Sequence, residues 1–406
     1  MNVLIRPQCN ILINLFSIII AVLPALSLYN FIPGMNFGIF LYFTFFIAIL
    51  PFIKISDISF AEWQLFLGAL SITFAATFVY VIMEVRWFNI NLMVNNLFSI
   101  VISFIPLIFA VKKVNKTIFR RSLLVVGSLA SIVVIWQRIE LIVFGNFYQD
   151  LFLPGLEVIR DVDEMSLNRP SAFFSEPAHL SIYLMPIFYL SLLDKKFFFS
   201  LLFLGGILFC GSSTGFISLI VVILFYIYQT DGNYKFIKII GLLILMILGY
   251  LSIFLLYPQI LLENIDKIEG VGEGHSDIRL LGPLEYLRFF DVLQWSFGLT
   301  LNQLEAFLRY NNYVLTLGNA NYANGFIYML LSYGIIGFLL LLRYLILRSK
   351  AKGYRKGFWL IFVLILSSDQ ILFNSHFIYL ISFMLIFDVS ASENFKTTTY
   401  FYGSKV

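Results

Sequence analysis

Apolar residues along this chain do not alternate with polar ones. They gather in blocks, most of about 17 residues or more, each able to cross the roughly 30 Å hydrocarbon layer as a helix. The blocks fall at residues 11–30, 37–53, 63–83, 92–111, 122–140, 177–193, 197–211, 213–229, 236–257, 324–346, 357–373 and 376–390. The missing alternation argues against membrane strands, and a helix pairs its own backbone groups where lipid offers no partner. The pattern predicts an all-α polytopic membrane protein of about twelve transmembrane helices, a single integral membrane domain over residues 1–406.

Composition agrees with the pattern: 60% of residues are hydrophobic, 18% aromatic and only 12% charged, against about 25% charged in soluble domains. The partner this implies is the lipid bilayer. Charge then sets the orientation. With the N-terminus and C-terminus both cytoplasmic, the short inner connections become basic: Lys112, Lys113, Lys116, Arg120 and Arg121 in one, and Arg343, Arg348, Lys350, Lys352, Arg355 and Lys356 in another. Most of the acidic residues then fall outside. The expected location is therefore a plasma membrane, with the larger loops facing the periplasm or cell exterior. Arg6 before the first apolar run, with many spans after it, reads as a retained signal-anchor. A net charge of +4 calls for no acidic partner and no nucleic acid.

Two expected outer loops are long, at residues 141–176 and 258–323, and long loops concentrate function. Within the second, Glu285, Arg288, Asp291 and Gln294 recur every three residues, with Leu284, Leu287, Phe290, Leu293 and Phe297 available to an apolar side. This predicts an amphipathic helix near 283–297, lying on the membrane as a roof over the bundle or touching substrate. No convincing internal repeat is present.

The densest polar constellation closes the first outer loop: Arg169-Pro170-Ser171-Ala172-Phe173-Phe174-Ser175-Glu176-Pro177-Ala178-His179. Ser175 reads as an N-cap and Pro177 as a first-turn residue, so free backbone N–H groups face outward where an anion is favoured. Glu176 and His179 are expected on one helical face with Arg169 folded over them; the same residues also serve simply to cap the helix and pair with each other. Gly211-Ser212-Ser213-Thr214-Gly215 is a hydroxyl-rich turn after an unusually short span, which places Ser213 and Thr214 to hold a phosphate or merely to cap the next helix. His275 and Arg279 precede the amphipathic segment, and a guanidinium matches phosphate oxygens bidentately. Asp369 lies in the outer half of an apolar span, as a functional acid or as the counter-ion of an arginine such as Arg138, and His376 begins the last span. All three histidines fall outside, where an imidazole can act as acid or base. Three histidines and two separated cysteines give no ligand cluster at zinc-like spacing, so no metal and no cofactor are expected.

These residues resemble those of the Wzy-type bacterial O-antigen and capsular polysaccharide polymerases, which are related to the O-antigen ligases. The resemblance spans the whole topology. Its most specific part is the stretch from Arg169 to His179, similar to the Arg-Pro-(small)-(small)-Phe-Phe-x-Glu-Pro string found before a transmembrane helix in many such polymerases. Ser213-Thr214-Gly215, and Asn324-Gly325-Phe326 leading into Tyr333-Gly334-Ile335-Ile336-Gly337, are softer matches. The resemblance implies a glycosyltransferase whose donor is an undecaprenyl-diphosphate-linked oligosaccharide, polymerised at the outer face of the membrane. It implies that Arg169 and Arg279 bind the diphosphate, that Glu176 orients Arg169 or the acceptor, and that His275 or His179 takes the acceptor proton. Ser213, Thr214, Arg288, Asp369 and His376 would then belong to substrate binding. A chain-length regulator and a flippase of the same pathway are the implied protein partners. An O-antigen ligase delivering the glycan to lipid A core shares this architecture, and a lipid-linked glycan flippase or exporter would share the topology but line a central cavity with polar residues.

Overall fold

The computed structural model describes residues 2–32, 35–54, 58–147, 156–158, 169–229, 282–313, 323–350 and 355–387. Its helices are α1 (Asn2–Leu26), α2 (Phe37–Ile49), α3 (Phe60–Ile82), α4 (Ile90–Ala110), α5 (Lys116–Phe144), α6 (Pro177–Leu193), α7 (Phe197–Phe209), α8 (Ser213–Gln229), α9 (Val292–Phe297), α10 (Leu304–Tyr310), α11 (Gly325–Ser349), α12 (Arg355–Ser368) and α13 (Ser375–Ile386). Each expected span among the described residues coincides over most of its length with a helix, and the one at 236–257 lies outside them. By length and composition α3, α5 and α11 can each cross a bilayer, and shorter apolar helices pack around them. The thirteen residues of α7 reach only about 20 Å, so the turn that follows falls short of a full crossing.

Asparagine starts five of these helices. Asn36, Asn89, Asn115, Asn324 and Asn374 each turn a side-chain oxygen onto the free N–H groups of the first turn. Such caps contribute about 1 kcal/mol each, and they carry a polar group where an apolar run begins.

Polar contacts separate the bundle into two ends. At one, the Arg120 guanidinium pairs with Asp194, Lys112 Nζ donates to the Ile58 carbonyl at 2.8 Å, and Arg348 holds the fully buried Glu62 together with Ser59 and Tyr344. Arginines and lysines dominate this basic end. The opposite end collects the starts of α6, α8, α11 and α13. It also holds a small antiparallel sheet, order β2-β1-β3, of β1 (Tyr29–Ile32), β2 (Met35–Asn36) and β3 (Glu157–Val158). The all-helical expectation is corrected here: Tyr29 faces Val158 and Asn30 faces Glu157, which joins the first long loop to the α1–α2 turn.

A second correction concerns residues 283–297. They form a 3-10 helix (Gly282–Phe289), then a break, then the short α9. The physical reason is Asp291, whose carboxylate accepts from Leu293 N and Gln294 N while Gln294 Oε1 accepts from Asp291 N; this reciprocal cap starts a new helix.

The segment after α9 enters the bundle. Helix α11 is broken at Gly334 (φ 62°, ψ −166°), which frees carbonyls in the preceding turn. Leu299 N donates to Leu331 O at 2.9 Å and Thr300 N to Ser332 O at 2.8 Å, so the incoming backbone satisfies them. Tyr80 of α3 donates its hydroxyl to the Gly298 carbonyl from the other side. Gly298 (φ 72°) and Gly334 meet so closely that a Cβ on either would fall closer than 3.0 Å to the other strand's backbone.

Candidate functional site

The polar residues flagged in the sequence sort into groups around the start of α6. The loop ahead of it is held by a turn in which Phe174 N donates to Ser171 O and Ser171 Oγ to Phe174 O, both at 3.0 Å, with Ala172 at φ 53°. Gln137 on α5 fixes this turn by accepting from Ala172 N at 2.8 Å. Phe174, fully buried against Tyr183, anchors it from below. A bulkier side chain than Ala172's in that left-handed conformation would be strained.

Glu176, in extended backbone, is the N-cap of α6 and Pro177 its first residue. Ser175 is therefore not the cap, a correction to the expected role. Its hydroxyl instead meets His179 Nδ1 at 2.6 Å. Glu176 makes no side-chain cap bond, and because it precedes the first helical residue it does not share a helical face with His179.

His179 and His376 come together. Their ring centroids lie 4.5 Å apart at 31°. The pairing follows from the turn below: Tyr183 stacks on Tyr379 at 5.0 Å, Tyr379 donates its hydroxyl to the Tyr183 carbonyl at 3.0 Å, and Tyr183 donates to Ala21 O. Spacings of four on α6 and three on α13 carry that register up to the histidines. His376 is 2% exposed and its Nε2 has no hydrogen-bond partner among the described residues, whereas His179 is half-buried.

On the other side of α6, Ser181 Oγ contacts Cys210 Sγ at 3.1 Å. The guanidinium groups of Arg138 and Arg169 both lie near enough to act electrostatically on that thiol. Arg138 is buried, and its Nε donates to the Phe209 carbonyl at 2.8 Å, a terminal carbonyl of α7. Ser212 Oγ accepts from Gly215 N at 3.2 Å and caps α8, which leaves Ser213 and Thr214 half-buried in its first turn. Arg138 is the residue that the sequence reading used only as a counter-ion. Its signal was available: an arginine in the outer half of a long apolar run.

Asp369 lies just past the end of α12 rather than inside a helix, a further correction. It is buried, its carbonyl accepts from Gly325 N at 3.0 Å and its Oδ1 from Gln370 N at 2.8 Å. It therefore stands beside the start of α11, on the six-residue turn that leads to His376. In that turn Phe373 holds φ 64°.

Arg288 stands in a separate group. It pairs with Glu285 at 3.1 Å and lies over the Phe289 and Tyr313 rings at 4.7 and 5.4 Å, while Tyr313 donates to Glu285 at 3.2 Å. Burial, with Tyr313 and the Glu285 carboxylate beside it, pushes the Tyr286 phenol up to about 12, so it stays protonated near neutrality. His275 and Arg279 lie outside the described residues. Among the described residues no three histidine, cysteine or carboxylate side chains form a metal-holding group.

The arrangement can bind an anion on the arginine side of α6 and accept a proton on the histidine side. No protein-family model matches this chain, and no curated protein matches it.

Proposed function

We propose that the chain polymerises undecaprenyl-diphosphate-linked oligosaccharide repeat units into O-antigen or capsular polysaccharide, as a glycosyltransferase working at the outer face of a bacterial plasma membrane. The observation that supports this reading most is that two guanidinium groups, Arg138 and Arg169, both act on the Cys210 thiol just ahead of the Ser212–Gly215 turn, while α6, whose Ser181 touches that thiol, carries His179 against His376. All of it lies at the end of the bundle opposite the basic connections.

In this reaction an acceptor hydroxyl attacks the anomeric carbon of the lipid-linked glycan. The bond from that carbon to the diphosphate oxygen breaks, and its electron pair leaves with the diphosphate. Arg169, with Arg279 from the second loop, compensates the charge that grows on that oxygen. Arg138 adds to the same field. Fixed donors of this kind contribute on the order of 3 kcal/mol each because they need no reorientation as charge develops. The acceptor proton goes to His179 or His275. Ser175, bonded at Nδ1, holds the His179 ring, and in the tautomer whose Nδ1–H donates to the Ser175 hydroxyl Nε2 is the proton-accepting atom.

Membranes supplied with the lipid-linked repeat unit test the reading. Arg169→Ala, Arg279→Ala and Arg138→Ala should each leave single repeats unpolymerised, with rates down about 100-fold. Normal chain lengths in all three would remove the arginines from the reaction. Deleting the whole chain separates the two enzyme readings: loss of a polymerase leaves one repeat on the acceptor, whereas loss of a ligase leaves long chains on the carrier lipid.

A further inference from the structure

At the basic end a cavity of about 140 Å³ opens between the end of α11, the start of α12 and the end of α13, lined by Leu347, Arg348, Lys350, Arg355 and Met384. That volume admits several water-sized groups, room enough for a phosphate. Among the described residues that line it, Arg348, Lys350 and Arg355 are cationic. Arg348 is held by the Glu62 carboxylate, and Arg355 stands close enough for like-charge repulsion from Arg348. The walls are fixed independently of any ligand: Glu62, Ser59 and Tyr344 grip Arg348, and Trp359 Nε1 donates to the Leu345 carbonyl at 3.1 Å, tying α12 to α11. A preformed concave site lined by several cations favours an anion.

The surroundings specify the kind of anion. Along α11 next to the cavity, Leu339, Ile346 and Leu347 are exposed at 57%, 60% and 41%. An apolar strip running from a basic cavity matches a molecule with a charged head and hydrocarbon tails. Basic pockets between membrane helices on the side that carries the positive loops are suited to anionic lipid headgroups. We propose that this cavity binds the phosphodiester headgroup of an anionic phospholipid from the leaflet at the basic end, with its acyl chains along Leu339, Ile346 and Leu347.

Native mass spectrometry of the full chain in detergent, with phosphatidylglycerol, phosphatidylcholine or inorganic phosphate added, tests this. Phosphatidylglycerol should stay bound at activation energies that strip phosphatidylcholine. Lys350→Gln and Arg355→Gln should each weaken retention about fivefold and the pair together about 30-fold, with the melting temperature unchanged in Lys350→Gln. Arg348 is left intact because its loss would strand Glu62. Lys113→Gln, a charge change outside the cavity, is the control for general electrostatics and should leave retention unaltered. Equal retention of both lipids, or an equal loss in Lys113→Gln, would overturn the proposal. Binding of inorganic phosphate that displaces the lipid at equal concentration would assign the cavity to a free anion instead.

Discussion

His179 and His376 share a contact but not an environment, and the difference divides their work. His179 is half-buried with Ser175 on Nδ1, so it can reach a substrate; His376 is sealed beneath it and offers a ring face. On the proposed polymerase function, replacing His179 with Ala should lower polymerisation in membranes by about 100-fold, the range for removing an acid–base group. His376→Phe preserves a ring packed against His179 and should stay within a few-fold of wild type. If His376→Phe loses as much as His179→Ala, its nitrogen rather than its ring is needed and the roles must be exchanged. This pair was not legible in the sequence, because nothing local joins residues on α6 and α13. What was legible was each histidine's place at the start of an apolar helix, and the tyrosine one turn deeper on each helix is the mark that aligns them.

The elements show where sequence patterning succeeds and where it stops. Apolar run length located the helices, since a long run has no other stable state in lipid. The three-residue spacing near 283–297 was real, but it concealed the Asp291–Gln294 cap that divides the segment. The docking of residues 298–300 into the break of α11 joins two distant backbones, and only the paired glycines hint at it. Gly298→Ala and Gly334→Ala should each destabilise the fold beyond the roughly 1 kcal/mol of an ordinary glycine site. A Cβ at either position meets backbone in a left-handed conformation, and thermal unfolding in detergent measures the loss. The 3-10 helix ahead of α9 carries its own pH signature. Tyr286 titrates near 10 when unfolded and near 12 when folded, so the unfolded chain loses its proton first. Stability should be level below pH 10, fall as pH rises through about 10 to 12, and level off above. Denaturant unfolding at each pH checks this, and Tyr286→Phe should remove that component.

Among the described residues, polar contacts sort to two ends of the bundle, and Arg120, Lys112 and Arg348 make theirs at one of them. Intact cells treated with a membrane-impermeant maleimide should label Arg288→Cys and spare Lys113→Cys, in a Cys9→Ala background with Cys210 buried. The opposite labelling would invert the orientation, and labelling of both would break the two-ended arrangement. The broken α11 also sets an order of events during synthesis. Residues 298–300 leave the ribosome before Leu331 and Ser332, the carbonyls that they must meet. The segment therefore waits for a helix not yet made. Its seating coincides with the insertion of α11, and a nascent chain stopped short of residue 331 has every expected span up to 236–257 but none of the closure that holds the second loop in the bundle.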